Sequence, residues 1–304
     1  MQCIFCHKDS STSRSVEHIV PESLGNKLHV LSKGYVCDSC NHYFAVKIEK
    51  ELLDQSYFRS YRFRNEILTK KDKLVKESAI FPSAFKSTEV TIQTTDEGII
   101  ASFNDEDIVK IINKNGGKGI MITACTLSPE YPSQIMSRFL AKCAYEYFLY
   151  SMGESNYDLC IQEFLAEDSD QLQSIREYAR FGKGACWQYH QRRIYSEGTL
   201  FMDAEHNSPY ELLHEMKLFA TDVQHLDGGL TEVILYYILA IGGIEYAICL
   251  NSPDISGYQR WLEEHDFHSP LEKETERKLS IGLSDINPIL FKKDDNRFNN
   301  IAVR

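Results

Sequence analysis

Alternating and periodic apolar positions predict a chain that mixes strands with helices. Apolar and polar residues alternate over 88–103, which predicts a β-hairpin. A second hairpin is predicted over 232–250, where runs of β-branched and aromatic residues flank Gly242-Gly243. Apolar residues recur at helical spacing from Pro132 to Met152 and predict the longest helix. This mixture predicts an α+β fold for residues 88–304.

Shorter elements are predicted between these. Helices are expected at 108–112, 156–166, 168–181 and 258–265, and strands at 120–125, 187–195 and 212–220. Residues 77–87, which contain Pro82, are typical of a linker. Arg138 and Lys142 lie one turn apart on the long helix, and we expect them on its solvated face.

A glutamate and a histidine are adjacent near the N-terminus. Glu17 and His18 are flanked by Val16, Ile19 and Val20, which favours a short strand. Neighbours on a strand point to opposite faces. One of the two side chains could therefore bind a metal ion while the other contacts a water molecule, and both would contribute to one catalytic site.

An asparagine follows at the expected start of a helix. Phe44, Ile48 and Leu52 recur every four residues, which predicts a helix that begins near Asn41. Asparagine is a favoured N-cap residue. Its side-chain oxygen is also a neutral ligand for a hard cation such as Mg²⁺. Both roles fit the position of Asn41 in the sequence.

Two Cys-x-x-Cys pairs enclose this segment, at Cys3/Cys6 and Cys37/Cys40. Zinc binds four thiolates in a tetrahedron, and a gap of two residues lets both sulfurs of a pair face one ion. The 30 residues between the pairs exceed the spacing of a simple zinc finger. We therefore predict a structural zinc that pins the two ends of a separate folded unit.

The order of these motifs resembles the HNH endonucleases, also called the ββα-metal or His-Me finger family. A Cys-x-x-Cys pair is followed by Glu17-His18-Ile19-Val20-Pro21-Glu22-Ser23 and then by Cys-x-x-Cys-Asn. The version pinned by zinc is similar to phage Holliday-junction resolvases, in which an asparagine also follows the last zinc cysteine. The glutamate–histidine run is similar to the HNH domain of CRISPR effector nucleases.

The resemblance covers about residues 1–55 and implies roles for them. His18 would be the general base, Glu17 and Asn41 would hold a catalytic Mg²⁺ or Mn²⁺, and the four cysteines would hold Zn²⁺. The sequence departs from the family in two places. Glu17 stands where the family often has an aspartate, and the middle asparagine of the motif has two candidate matches, Asn26 and Ser32.

Charge is unevenly distributed along the chain. The net charge is −11, which alone argues against a nucleic-acid binder, but residues 1–80 carry +3. Arginines alternate with aromatics over 57–64, so Arg59, Arg62 and Arg64 are candidate contacts to DNA phosphates. A basic helix that packs its aromatics on the protein fits the same pattern.

Two further sets of residues favour structural roles. The strand at 187–195 carries a basic cluster, more typical of solvated arginines than of an anion site. The five cysteines outside the two pairs are dispersed in apolar segments, which is typical of small buried side chains. They are Cys125, Cys143, Cys160, Cys186 and Cys249.

We therefore expect a divalent-metal-dependent DNA endonuclease. Its parts would be an HNH domain at 1–56, a basic-aromatic extension and linker at 57–87, and an α+β recognition or regulatory domain at 88–304. One alternative is a non-catalytic zinc module that binds nucleic acid or a protein. Another is a sensor–effector protein of anti-phage defence, activated by a ligand or protein partner at 88–304.

The location of the protein is inferred from absences in the sequence. No apolar run reaches the roughly 18 residues of a membrane span. The first residues also lack the pattern of a signal peptide. We therefore expect a cytoplasmic protein without a membrane partner.

Overall fold

The computed structural model divides the chain into two compact units. It describes residues 1–69, 71–81, 87–95, 98–103, 106–114, 122–123, 128–153, 170–195, 200–203, 208–211, 214–223 and 232–271. The described residues of the first unit lie within 1–22, 26–52 and 130–271, and those of the second within 23–25 and 53–129. Helices and strands occur in both units, so the predicted α+β class is confirmed.

The described helices and strands are numbered in chain order. The helices are α1 Asp38–Phe44, α2 Lys50–Leu53, α3 Ser56–Arg64, α4 Glu106–Lys114, α5 Gln134–Gly153, α6 Asp170–Phe181 and α7 Ser256–Glu264. A π-helical turn, Ala45–Glu49, joins α1 to α2. The strands are β1 Glu17–His18, β2 Val30–Leu31, β3 Lys76–Phe81, β4 Thr88–Thr95, β5 Gly98–Phe103, β6 Ile122–Thr123, β7 Tyr189–Arg193, β8 Leu200–Asp203, β9 Ser208–Glu211, β10 His214–Val223, β11 Glu232–Ile241 and β12 Ile244–Cys249.

The N-terminal part of the first unit is a small ββα arrangement. β1 and β2 pair antiparallel, with Glu17 opposite Leu31 and His18 opposite Val30. The helix that follows begins at Asp38, so the prediction that it begins at Asn41 is wrong. The thiol of Cys37 accepts a hydrogen bond from the backbone N–H of Cys40 and caps the helix. Asn41 therefore lies within the first turn and is no N-cap.

Helix α5 is the central element of the first unit. One side packs on the sheet of order β10-β11-β12-β7, where the hydroxyl of Tyr147 donates to the Met216 carbonyl at 3.2 Å. The opposite side meets the N-terminal segment, where the hydroxyl of Tyr145 donates to the Ile4 carbonyl at 3.2 Å. A helix enclosed on both sides is buried around most of its circumference. Nearly every side chain from Met136 to Glu146 is buried as a result.

The second unit is built on an antiparallel sheet of order β5-β4-β3-β6. Its core contains Ala79, Phe81, Val90 and Ile92 from the sheet and Ile108 from α4. The predicted hairpin over 88–103 is confirmed as β4 and β5. The linker predicted over 77–87 is wrong up to Phe81, because these residues form β3. Alternate side chains of β3 are buried in the core, which gives this stretch a stable place in the sheet.

Several other predicted elements can be compared with the structure. The long helix, the second hairpin and the helices at 108–112 and 258–265 are confirmed as α5, β11–β12, α4 and α7. The helix predicted at 156–166 lies outside the described residues, as do Cys125 and Cys160. Within the described ranges, no helix combines the length and apolar character needed to cross a membrane.

Candidate functional site

Four cysteine thiols converge at the N-terminal end of the first unit. The sulfurs of Cys3, Cys6, Cys37 and Cys40 all lie within 4.8 Å of one another. Four sulfurs around one zinc ion at 2.3 Å would be about 3.8 Å apart, and the sulfurs of Cys6 and Cys37 are separated by 3.6 Å. The spacing therefore fits a single tetrahedral metal site.

Hydrogen-bond donors lie around sulfurs of the cluster, whereas burial raises the pKa of the Cys6 thiol. The backbone N–H of Cys37 donates to the sulfur of Cys3 at 3.3 Å. A hydrogen bond with the Cys40 thiol is the main cause that lowers the pKa of Cys3 to about 4, and the same contact raises the pKa of Cys40. The guanidinium of Arg180 also donates to the Cys40 sulfur, at 3.2 Å. Donors around a sulfur stabilise the charged form that a metal ion requires.

The two predicted metal ligands of the catalytic site, Glu17 and Asn41, lie side by side. The side-chain nitrogen of Asn41 is 2.8 Å from Oε2 of Glu17 and 3.1 Å from the carbonyl of Val16. Glu17 is 5 % exposed, and Asn41 is half-buried. Asn41 directly follows Cys40, so the cysteine cluster fixes the start of the helix that presents Asn41 to β1.

These two groups can offer oxygen ligands to one hard cation. The assignment of oxygen and nitrogen in an asparagine amide follows from its hydrogen bonds, and a cation would favour the orientation that turns Oδ1 toward Oε2. As the side chains stand, the 2.8 Å contact is a hydrogen bond that the amide nitrogen donates, so the amide would have to turn before Oδ1 could bind an ion. A carboxylate and an amide oxygen are nevertheless the ligand types that such an ion prefers.

His18 follows Glu17 on β1 but differs from it in exposure. Its side chain is partly exposed, whereas that of Glu17 is buried. This difference agrees with the expectation that neighbouring side chains point to opposite faces of a strand. The backbone of the same strand is anchored at its end, where the N–H of Ile19 donates to the carbonyl of His29 at 3.1 Å.

Asn26 holds the loop between β1 and β2. It is fully buried, and its side-chain nitrogen donates to the carbonyls of Val20 and His29 at 2.8 and 3.0 Å. Its side-chain oxygen accepts from the N–H groups of Leu28 and His29 at 3.1 Å each. The other candidate, Ser32, is exposed. Asn26 is thus the residue that ties the loop to both strands.

Lys142 was predicted on the solvated face of its helix, and that prediction is wrong. Its side chain is 0 % exposed, and Nζ lies 2.5 Å from Oε1 of Glu17. Carboxylate oxygens of Glu49 and Glu146 lie 3.1 and 3.2 Å from the same nitrogen. Nζ also donates to the backbone carbonyl of His18 at 3.0 Å. Because α5 is enclosed on both sides, a lysine on its circumference can be buried.

Burial and charge oppose each other within this cluster. Burial alone would lower the pKa of Lys142, but the carboxylates of Glu146, Glu17 and Glu49 outweigh burial and raise it well above its usual value. Burial raises the pKa of Glu146 well above its ordinary range, against the attraction of Lys142. The carboxylates around Lys142 thus favour its charged form, and burial opposes the charged form of Glu146.

The aromatic residues of helix α3 follow the structural alternative, in which they pack on the protein. Tyr57, Phe58 and Tyr61 are all buried, and the ring of Tyr57 stacks on that of Tyr61 with 6.3 Å between centroids. Arg62 is 8 % exposed, and burial lowers its pKa. A side chain so enclosed cannot reach a DNA phosphate in this conformation.

The two other arginines of α3 remain accessible. Arg59 is half-buried, with a guanidinium nitrogen 2.9 Å from the Asp54 carbonyl. Arg64 is exposed. The set of candidate phosphate contacts in α3 is thus reduced to Arg59 and Arg64.

The basic cluster of β7 is occupied with contacts inside the protein. Arg192 pairs with the fully buried Glu245 at 2.8 Å, and Arg193 donates to the carbonyl of Gly242 at 3.1 Å. The other described cysteines follow the structural expectation in part. Cys143 and Cys249 are buried, whereas Cys186 is exposed, contrary to the prediction.

A comparison with known families agrees with the geometry of the N-terminal segment. Residues 3–56 match the family model described as HNH endonuclease. Comparisons with curated proteins and with solved structures give no match. The matched segment contains the four cysteines and the residues Glu17, His18 and Asn41, so the resemblance is confirmed there. The match ends before α5 and therefore does not cover Lys142.

Proposed function

We propose that the protein is a divalent-metal-dependent endonuclease that hydrolyses phosphodiester bonds of DNA at the site formed by Glu17, His18 and Asn41. One observation carries the proposal. A carboxylate from β1 and an amide from α1 are 2.8 Å apart, and a histidine follows the carboxylate in the chain, in a segment that matches the HNH endonucleases. A module that only binds nucleic acid would need none of these three side chains.

The residues of the site have separate roles in this reaction. Glu17 and Asn41 would hold Mg²⁺ or Mn²⁺, which supplies stabilisation of the negative charge on the phosphate and on the leaving oxygen. An imidazole can accept a proton near neutral pH, so His18 would take the proton from the attacking water. Asn26 keeps the loop between β1 and β2 in place and so fixes the strand that carries His18.

The cysteine cluster has a structural role in the proposal. We assign it Zn²⁺, because four thiols with this spacing match the preference of zinc for sulfur in a tetrahedron. The ion would hold Asn41 in place beside Glu17, since Asn41 is adjacent to Cys40. For the DNA, we propose Arg59 and Arg64 as phosphate contacts, and we leave Arg62 out because it is buried.

A cleavage assay tests this function directly. We expect the full-length protein to convert supercoiled plasmid to nicked or linear forms with Mg²⁺ or Mn²⁺, and to lose this activity when EDTA is added. Zinc content is measured after the EDTA step, because a chelator that removed the structural ion would abolish activity for another reason. Retained zinc with lost cleavage identifies a second, catalytic ion.

A variant of Asn41 localises that ion. Asn41→Ala removes one proposed ligand, so the divalent-metal concentration for half-maximal cleavage should rise about 10- to 100-fold, the range usual for groups that hold or orient a metal. The matched control is Ser39→Ala, an exposed neighbour on the same helix, which should leave that concentration unchanged. An equal metal requirement in Asn41→Ala and the wild type would contradict the assignment.

A further inference from the structure

Lys142 reaches the proposed catalytic site from a helix outside the segment that matches the HNH endonucleases. It lies on α5, and its ammonium contacts Oε1 of Glu17 at 2.5 Å. The same ammonium donates to the backbone carbonyl of His18 at 3.0 Å, and the carbonyl of Ile19 lies 3.4 Å away. A single nitrogen therefore contacts the proposed metal ligand and the backbone of the proposed base.

The burial of this lysine is costly and needs a structural reason. A fully buried ammonium loses its hydration, which costs several kcal/mol unless charged or polar partners replace the water. Lys142 has such partners in Glu17, Glu49 and Glu146. Glu49 comes from the π-helical turn and Glu146 from α5 itself, so the ammonium connects both of these elements to Glu17 on β1.

The two oxygens of Glu17 have different partners. Oε1 faces the ammonium of Lys142, and Oε2 faces the amide of Asn41. This division holds the plane of the carboxylate and leaves Oε2 beside Asn41, the second proposed metal ligand. Without the ammonium, the carboxylate could rotate, and the carbonyl of His18 would lose its side-chain donor.

We propose that Lys142 is a positioning residue of the nuclease site, which holds Glu17 and the end of β1 in the geometry that catalysis requires. The proposal rests on the proposed role of Glu17 as a metal ligand. In this proposal α5 contributes a residue to the site, so the residues needed for cleavage extend beyond the segment that matches the HNH endonucleases.

The test removes the ammonium together with one of its buried carboxyl partners. Lys142→Met/Glu146→Gln leaves Glu17 and Glu49 as the carboxylates of the cluster. Glu146→Gln alone keeps the contact between Lys142 and Glu17 and measures the contribution of the second substitution. Tyr145→Phe is the control for packing, because it removes a hydrogen bond of the same helix to Ile4.

Two readouts separate positioning from simple destabilisation. The first is turnover per folded molecule at saturating Mn²⁺, which a loss of folded protein alone would not change. The second is hydrogen exchange at the backbone N–H of Ile19, which is bonded to the carbonyl of His29 and reports the order of β1. Zinc content and a thermal melt establish that each variant is folded.

We expect the double variant to retain zinc, to lose at least tenfold in turnover and to exchange Ile19 at least tenfold faster. Glu146→Gln should lose less turnover than the double variant, and Tyr145→Phe should lose almost none. Unchanged turnover in a folded double variant overturns the proposal. If the double variant loses zinc, Lys142→Met/Glu49→Gln/Glu146→Gln, which leaves Glu17 as the single carboxylate of the cluster, is measured in its place with the same criteria.

A failure of the nuclease assignment can be distinguished from a failure of the role proposed for Lys142. If the wild-type protein cleaves no nucleic acid, the nuclease assignment fails, and exchange at Ile19 alone decides the role of Lys142. Faster exchange in the double variant then supports a lysine that orders β1 around Glu17. Unchanged exchange overturns that role as well.

Discussion

Two regions of this protein were expected from sequence to meet nucleic acid, and the structure brings predicted site residues together in only one of them. In the ββα segment, Glu17, Asn41 and the four cysteines come together as their spacing predicts. In helix α3, the aromatics that alternate with the arginines are buried, and Arg62 is enclosed with them. The two predictions rested on different kinds of pattern.

Metal chemistry makes the first pattern reliable. A zinc ion accepts few ligand types at fixed distances, so two Cys-x-x-Cys pairs rarely serve any purpose but metal binding. An alternation of arginine and aromatic residues satisfies two demands equally well. It can bind nucleic acid, or it can place large rings in a core and charges at its edge. The structure shows the second use for most of α3.

The variant with the largest expected effect removes one cysteine of the cluster in the ββα segment. Cys40→Ser removes one of four thiolates, and structural zinc contributes on the order of 10 kcal/mol to the folding of small zinc units. We expect loss of bound zinc and unfolding of residues 1–52, with loss of all cleavage. Metal analysis and hydrogen exchange of the N-terminal peptides provide the measurement.

The control for this variant is another buried cysteine of the same unit. Cys249 lies on β12 and does not belong to the cluster. The Cys249→Ser protein should therefore retain one zinc per chain. A folded Cys40→Ser protein that still binds one zinc as tightly as the wild type would contradict the assignment of the cluster.

The variant with the smallest expected effect tests whether the arginines of helix α3 contact DNA. If Arg59 and Arg64 contact phosphates, the double change to alanine should flatten the log–log dependence of DNA affinity on salt by about one unit per lost contact. Affinity should fall to a similar extent on unrelated DNA sequences. Binding is measured between low and moderate salt by fluorescence anisotropy.

The matched control is Lys110→Ala, an exposed basic residue on α4 of the same unit. Its salt dependence should equal that of the wild type. If the double variant also shows the wild-type slope, the arginines of α3 have a structural role only, and the DNA contacts lie elsewhere.

The parts of the site that could be predicted from sequence are those encoded locally. The two cysteine pairs, Glu17, His18 and Asn41 lie within about 40 residues, and each belongs to a motif with a chemical reason for its spacing. The hairpins and α5 were predictable because their periodicity reports burial on one or both faces. The start of α1 was misplaced because a cysteine side chain, which is not a common cap, replaces Asn41 as the N-cap.

Lys142 could not be predicted, because its environment is tertiary. More than 120 residues separate it from Glu17, and on a helix a lysine among apolar residues usually marks the solvated face. One signal was present in the sequence. Glu146 lies one turn after Lys142 in a largely apolar stretch of the helix, and an i,i+4 pair of opposite charges in such a setting is compatible with burial.

The central claim is that His18 is the base of a metal-dependent nuclease, and one measurement tests it most directly. Single-turnover cleavage is compared between the wild type, His18→Ala and His42→Ala, an exposed histidine of α1 that serves as the control. We expect His18→Ala to slow cleavage on the order of 10²–10⁴-fold, the usual size of a general-base contribution. Zinc content and DNA affinity should be retained, and His42→Ala should match the wild type. Equal cleavage rates for His18→Ala and an active wild-type protein would contradict the account.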